Sequence, residues 1–430
     1  MTHSEFLTIL HGEIEASTGC TDPGSICLAT ANAVCLLENH PEKVRITLSP
    51  DVYKNAVGVG IPGIYESGIE LAAALGILLR APEKGLAILS GITEELVRQA
   101  RQEVAKGYIT VLYGEAPNPL YVKAEVWSGT DSAAAVIAGD YSNVVELVKN
   151  GEILRKKPLA VTEEEQYPLM KYTVQELYDF VLSMSVDELH FLLEYAQNNR
   201  DAAQKDLEAP NMKLGRQLKG RARPGQEDLF SVINNAQAYT AAAGEARMRG
   251  MNVTIMSLAG SGNHGITSLI GVLSVAHDLH CTEEKTIHAL AISTMITIYI
   301  KGYIKRMTAF CGCGVAAATG VAAAVVYLLG GTWEQSVHAM QSVIGTIGGM
   351  FCDGAKESCA YKLSIATSTA IQFAYLSMHN CYIPERMGIV GATIEQTFAN
   401  MGKLNNPGMV ETDRLLVSIV QSNQKGDETE

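Results

Sequence analysis

The sequence predicts an α+β protein, a mainly α-helical domain beside a smaller α+β domain with an antiparallel sheet. Between Val44 and Val148 apolar and polar residues alternate in short runs, and from Val174 onward apolar residues recur every three or four positions. Spacers as short as SGTD and GDYS join the last three strand-like runs, which makes them an antiparallel meander and excludes a doubly wound sheet.

Taken in order, Ser4 is the expected N-cap of a first helix that carries Phe6, Leu7, Leu10 and Ile14 on one face and ends near Ser17. In TGCTDPGS, Pro23 and Gly24 interrupt the pattern, so Cys20 is expected on a turn before a second, apolar helix over residues 29–37. Residues 1–42 are expected to pack on the helical domain. Residues 43–158 form the smaller unit: a strand at 44–48, a glycine-rich loop (VGVGIPG) leading into a helix, a helix over 93–106, and strands over 108–113, 121–127, 133–138 and 143–148. Residues 159–430 form the helical domain, with helices over 174–184, 186–198, 228–250, 266–279, 283–300, 315–329, 333–344 and 360–379. The charged stretch 201–226 has few apolar residues with which to pack and is expected to be a mobile lid or linker.

The composition excludes several classes. With 47% hydrophobic and 18% charged residues in a chain of 430, a large core is assured. A formal charge of −13 repels phosphate backbones, so nucleic acid is not an expected partner. MTHSEFLTILHGEIEAS has no basic start followed by an apolar core, so it reads as an amphipathic helix, not a secretory signal, and a cytoplasmic location is expected. The apolar run Gly314–Gly331 falls short of the ~20 residues a membrane helix needs, so no membrane partner is expected. Nine cysteines in such a chain point to thiols, metal or catalysis, not to disulfides.

The chemistry concentrates in a few stretches. GVGIPG, with Gly58, Gly60 and Gly63, and GSGNHG, with Gly260, Gly262 and Gly265, match the dinucleotide glycine fingerprint in letters but lack its strand–turn–helix context. Both loops remain candidates for a small anionic ligand, since glycines let backbone amides face a carboxylate at a helix start. Ser261, Asn263 and His264 add a hydroxyl, an amide and an imidazole, the groups that orient a substrate or move a proton. No HxxxH or HExxH pair supports zinc hydrolysis. Cys352 and Cys359 in CDGAKESC, with Cys313 or Cys311 from FCGCG, are candidates for the three thiolates that hold an iron–sulfur cluster and leave one iron open; a zinc ion, poorly served by CGC spacing and the lack of CxxC pairs, and a role as small buried hydrophobes are the other readings.

TGCTDP, VGIPG, SGSGNHGI, CGCG and MFCDGAKESCAYK, in this order, resemble the L-cysteine desulfidase family, a branch related to the iron–sulfur L-serine dehydratase alpha chains. The resemblance implies a 4Fe-4S cluster on Cys313, Cys352 and Cys359, with Cys311 as the alternative to Cys313. It implies β-elimination from L-cysteine, giving pyruvate, ammonia and hydrogen sulfide. Cys20 matches the cysteine of the N-terminal motif, as base for the α-proton or as a cap on the open iron; Asp22 stands where that motif usually has Glu. Ser261, Gly262, Asn263 and His264, with Gly60 and Gly63 from the first loop, are then the substrate-handling residues, His264 with Cys20 as the catalytic pair. The partner expected is a small amino acid, with a homodimer as the assembly kept in view. L-serine dehydration on the same cluster is the nearest alternative, followed by a pyridoxal-phosphate lyase, which SGNHG also resembles, and a non-enzymatic iron–sulfur sensor.

Overall fold

The computed structural model of the chain describes residues 1–158, 167–210, 213–221, 228–305 and 308–425. α1 (His3–Glu13) is capped by Thr2, not Ser4. The Thr2 hydroxyl accepts from the Glu5 N–H while the Glu5 carboxylate accepts from the Thr2 N–H. The helix stops before Ser17 because the chain turns extended at Ile14, and β1 (Ile14–Thr18) pairs antiparallel with residues 254–258. α2 (Thr21–Cys35) begins directly after Cys20, its N-cap, eight residues earlier than expected. Pro23 and Gly24 lie in its first turn, where a missing N–H leaves no intrahelical bond unmade.

β2 (Lys43–Leu48), α3 (Pro50–Ala56), α4 (Ile69–Leu79) and α5 (Glu94–Ala105) lead to β3 (Ile109–Tyr113), β4 (Tyr121–Ser128), β5 (Asp131–Ala138), β6 (Val144–Lys149) and β7 (Glu152–Lys156). The strand order is β3-β2-β4-β5-β6-β7. Only the β2–β3 pair is parallel, because α3 to α5 provide the crossover a parallel pair needs; the meander from β4 to β7 is antiparallel, with β7 an unforeseen exposed edge. Val44, Ile46 and Leu48 alternate inward and share a core with Val122, Ala124 and Val126, with Ile26 and Val34 of α2, and with Leu75 of α4.

The remainder is helical: α6 (Val174–Ser183), α7 (Val186–Leu189), α8 (Phe191–Glu208), α9 (Leu214–Lys219) and α10 (Leu229–Met248), then β8 (Thr254–Leu258), the partner of β1. α11 (residues 262–278) contains a π turn at Ile266–Ile270; α12 (Glu283–Ile304) follows, and α13 (residues 313–328) opens in a second π turn, Cys313–Ala317. α14 (Trp333–Ile347), α15 (Cys359–Met378), α16 (Ile394–Lys403) and α17 (Val410–Lys425) complete the chain's described elements. α12 is long and apolar enough to cross a membrane by length and composition, yet 94% of that window is buried inside the protein. Small residues let the central helices touch: a Cβ added at Gly320 of α13 would stand 2.4 Å from the Ser293 carbonyl of α12.

Two observations concern the helical part. Where it is described, the stretch 201–226 contains packed helix: Ala202, Ala203 and Asp206 of α8 are buried, and a Cβ on Gly215 of α9 would meet Ala242 of α10 at 2.7 Å. Residues 211–212 and 222–226 of that stretch lie outside the described residues. The second is α17, absent from the expected helices, which docks on the smaller unit: Val417 enters the sheet's core, Asp413 pairs with the buried Lys54 of α3, and the Tyr113 hydroxyl donates to Gln421 Oε1 at 2.6 Å. At the other end of the chain, α1 places Phe6 and Leu10 in the helical core while α2 lies with the sheet, so the span 1–42 is shared between two cores.

Candidate active site

The four cysteines of the glycine-rich stretches meet because residues 309–311 and 350–352 form a short antiparallel bridge. Cys311 N–H donates to the Met350 carbonyl and Cys352 N–H to the Ala309 carbonyl, each at 2.7 Å. Cys359 is the first residue of α15, and Cys313 the first of the π turn that opens α13. Between the second pair, Gly354 takes a φ of +94° and lies so near α3 that an added Cβ would stand 2.1 Å from the Lys54 carbonyl. Asp353 is fixed between Lys356, 2.7 Å away, and Lys362.

Opposite this wall stands the turn after β8. Ala259 and Gly260 both take positive φ, reversing the chain so that Ser261, Asn263 and His264 face inward at the start of α11. The His264 Nδ1–H donates to the Leu258 carbonyl at 3.2 Å, which leaves Nε2 as an acceptor. That nitrogen lies against Gly312, where an added Cβ would stand only 1.9 Å away. The antiparallel pairing of β1 with β8 brings Cys20 to the same place from the far end of the sequence.

One cavity is therefore lined by Cys20, Ser261, Asn263, His264, Cys311, Cys313, Cys352 and Cys359 together. Gly60 and Gly63 do not line it. Their N–H groups donate to the Met248 and Gly250 carbonyls at 2.8 and 2.7 Å, so these amides do not present themselves to an anion. The first loop serves instead as a buttress: Pro62 packs on Gly19, which turns the chain at φ +67° beside Cys20. Gly262 likewise makes room for a neighbour, because its added Cβ would stand 2.3 Å from Arg247 Nε.

The cavity also contains charged and polar groups that the sequence reading did not single out as site residues: Asp22, Asp51, Lys54, Asn55, Tyr141, Arg247 and Lys301. A signal for two of them existed. Arg247 interrupts an alanine-rich helix (AYTAAAGEARM) and Lys301 an apolar one (ITIYIKGYI), and a cation within such a run has to be paired or used.

Burial sets the protonation of these groups. The Cys20 thiol is pushed up to about 12 by burial and the Asp22 charge, against the opposing pull of Arg247, and it donates to Asp22 Oδ2 at 3.1 Å. Burial also raises Asp22, to about 6, although the Cys20 hydrogen bond and Arg247 both oppose it. Burial and the Lys301 and Arg247 charges hold His264 down to about 3, so it is neutral near pH 7. Of the paired sulfurs, Cys311 is held down to about 6 by the hydrogen bond from Cys313 and by Lys362, with burial opposing, while Cys313 is driven up by the same pairing. Burial raises Cys359 to about 11 and also raises Cys352, which Lys54 pulls back.

The His264 shift has a measurable consequence. Its folded value lies below its ordinary 6.5, so its contribution to stability is complete above about pH 6.5 and is lost as pH falls towards about 3, at most roughly 1.4 kcal/mol per pH unit. Asp22 works in the opposite sense: its stabilising contribution is complete below its ordinary 3.8 and is lost as pH rises through about 6. The difference between wild type and His264→Gln isolates the histidine. Thermal unfolding of the cluster-free chain at pH 7.5 and 5.5 is expected to show a smaller drop in Tm for the variant.

Four buried or half-buried thiols on one wall are a soft donor set of the kind iron–sulfur clusters use. Among the described residues no three His, Cys, Asp or Glu groups converge on a single ion position. The donor set fits a cluster.

Comparison with known proteins agrees in outline. Residues 83–418 match the family described as serine dehydratase alpha chain. The chain is 48% identical over 415 residues to a UPF0597 protein of Methanocella arvoryzae, covering 96% of this chain and 97% of the other. It is 36% identical over 434 residues to a UPF0597 protein of Porphyromonas gingivalis (98% and 99% covered), and 35% over 426 residues to one of Oleidesulfovibrio alaskensis (97% and 98%). Five motifs in order, a thiol-lined cavity and a match that spans most of the chain lead to one assignment: this protein belongs to the serine dehydratase alpha chain family.

Proposed function

We propose that the protein is a lyase that removes the β-thiol of L-cysteine, releasing hydrogen sulfide, pyruvate and ammonia. Family membership implies a dehydratase-type lyase with iron–sulfur chemistry. The observation that carries the finer reading is the meeting, in one buried cavity, of the cysteine wall with Cys20 and the Ser261–His264 turn. Cys313, Cys352 and Cys359 are the proposed holders of a 4Fe-4S cluster, which when bound supplies a Lewis-acidic iron with an open position suited to a sulfur leaving group.

The chain's own residues do the rest. His264, neutral and with Nε2 as acceptor, suits the substrate ammonium, and Ser261 and Asn263 orient the amino acid beside it. In this reading Cys20 takes the α-proton and Asp22 receives the thiol's own proton, which the hydrogen bond they share supports. Loss of the α-proton and the β-thiol leaves an enamine; it tautomerises to an imine, and water hydrolyses that to pyruvate and ammonia. Lys356 and Lys362, in the cysteine segment, are tied to Asp353 and do not line the cavity, which gives a pyridoxal Schiff base no support from that segment.

The deciding experiment is an anaerobic assay of the cluster-loaded protein with L-cysteine beside L-serine. Pyruvate with stoichiometric sulfide from cysteine, at a kcat/KM well above that for serine, is expected. Preference for serine assigns a dehydratase, and release of pyruvate from neither amino acid removes the reading.

A further inference from the structure

We infer that Arg247 is the seat of the substrate's α-carboxylate, and that the site therefore demands a free carboxylate on its substrate. The inference rests on the amino-acid lyase reading above but stands on a separate observation. Arg247 projects from the end of α10 into the cavity and is only 5% exposed. Its Nη1 donates to Asn263 Oδ1 at 3.0 Å, and its Nε is buried without a hydrogen-bond partner. Among the described residues it forms no salt bridge with a carboxylate; its side-chain partner is the Asn263 amide.

A guanidinium does not lose its proton in a protein, so the charge stays whatever the pH. Burial without a counter-ion is costly, and the usual remedy, a fixed carboxylate, is missing from its contacts. Asp22 lies beyond salt-bridge distance and acts on it through its charge, with only its Oδ2 held by the Cys20 thiol. The arginine's neighbour Glu245 is spent elsewhere, accepting from the Leu214 and Gly215 N–H groups at 2.8 and 3.0 Å. A substrate carboxylate supplies what is lacking: it receives N–H donors from a planar fork, which carboxylates match in pairs.

The surroundings select an amino acid over a simple anion. Nη1 holds the Asn263 oxygen, which fixes the arginine and the amide relative to each other. His264 Nε2, an acceptor in the same cavity, repels an anion's lone pairs and welcomes an ammonium. A carboxylate on Arg247 and an ammonium towards His264 are the two ends of one zwitterion. Gly262, which only a residue without a side chain can occupy beneath the guanidinium, belongs to this arrangement.

The test compares L-cysteine with L-cysteine amide, in which a neutral group replaces the carboxylate, using anaerobically reconstituted full-length protein. Wild type is expected to favour the acid in kcat/KM on the order of 100-fold. In Arg247→Met most of that preference should vanish, through KM far more than kcat, with the visible absorbance unchanged. Arg247→Lys keeps charge but not the fork and should fall between them. A variant that keeps the wild-type preference overturns the assignment, as does a wild type that turns over the amide equally well. A second readout is independent of turnover: L-alanine, but not L-alaninamide, should protect the cluster-free wild type against thermal unfolding and fail to protect Arg247→Met. If wild type eliminates neither cysteine nor serine, the lyase reading fails while alanine protection that depends on Arg247 still supports the seat. Protection equal in both proteins overturns it.

Discussion

Cys352→Ala and Cys359→Ala are each expected to abolish pyruvate release and, in the same samples, the broad visible absorbance of anaerobically reconstituted protein. A cluster on Cys313, Cys352 and Cys359 that loses Cys352 or Cys359 keeps one thiolate from that segment, and the remaining thiol of the wall, Cys311, is hydrogen-bonded to Cys313 on the other. Both positions should tolerate alanine as far as folding goes: Cys352 lies in a loop beside the Phe310–Phe351 bridge, and Cys359 sits at a helix start, where alanine is a good residue. Far-ultraviolet circular dichroism should therefore match wild type, so loss of absorbance reports the ligand and not the fold. The same experiment separates the adjacent pair: Cys313→Ser should lose the absorbance and Cys311→Ser retain it. Full activity in either Cys352→Ala or Cys359→Ala removes these thiols from the mechanism.

Gly312→Ala is expected to lower kcat/KM by about 100-fold or more, although it removes no functional group. The added methyl would stand 1.9 Å from His264 Nε2, far inside contact distance, so the imidazole must shift by more than an ångström. Gly312 has an ordinary helical backbone, so the change adds no backbone strain, and a modest loss of stability of about 1–3 kcal/mol from overpacking is all that should accompany it. Gly349→Ala, where nothing lies within 4 Å, is the control and should keep wild-type activity. Equal activity in the two variants would show that the position of His264 does not matter to catalysis.

The two substitutions also show what could be read from residues alone. Cysteines on glycine turns and SGNH after an apolar run marked two stretches as candidates, and one cavity is lined by both. Their meeting depends on pairings between residues far apart, 14–18 with 254–258 and 310 with 351, which no local period encodes. β1 was hidden for the same reason: IEAST follows a helix without a break signal and becomes a strand only through its partner. The alternating strands around β2, β4, β5 and β6 were legible because one face of that sheet is buried and the other is not. Pro23 misled because a proline in a first helical turn and a helix-breaking proline look alike in sequence. Arg247 and Lys301 stand out in the sequence as cations within apolar helical runs, but which way they point depends on how those helices pack and emerged only in three dimensions.

The docking of α17 on α3 bears on how the protein is made. The sheet and α2 emerge from the ribosome early, but the residue that enters their core from Val417, and the carboxylate that pairs with Lys54, are translated long after the last strand. Until then Lys54, which lines the cysteine cavity, lacks one of its two carboxylate neighbours. When Cys359, the last thiol of the cysteine wall, has been made, α17 is still to come, so the Lys54 side of the cavity is completed last, and a polypeptide cut before Val410 is expected to keep every one of these cysteines yet leave Lys54 without Asp413.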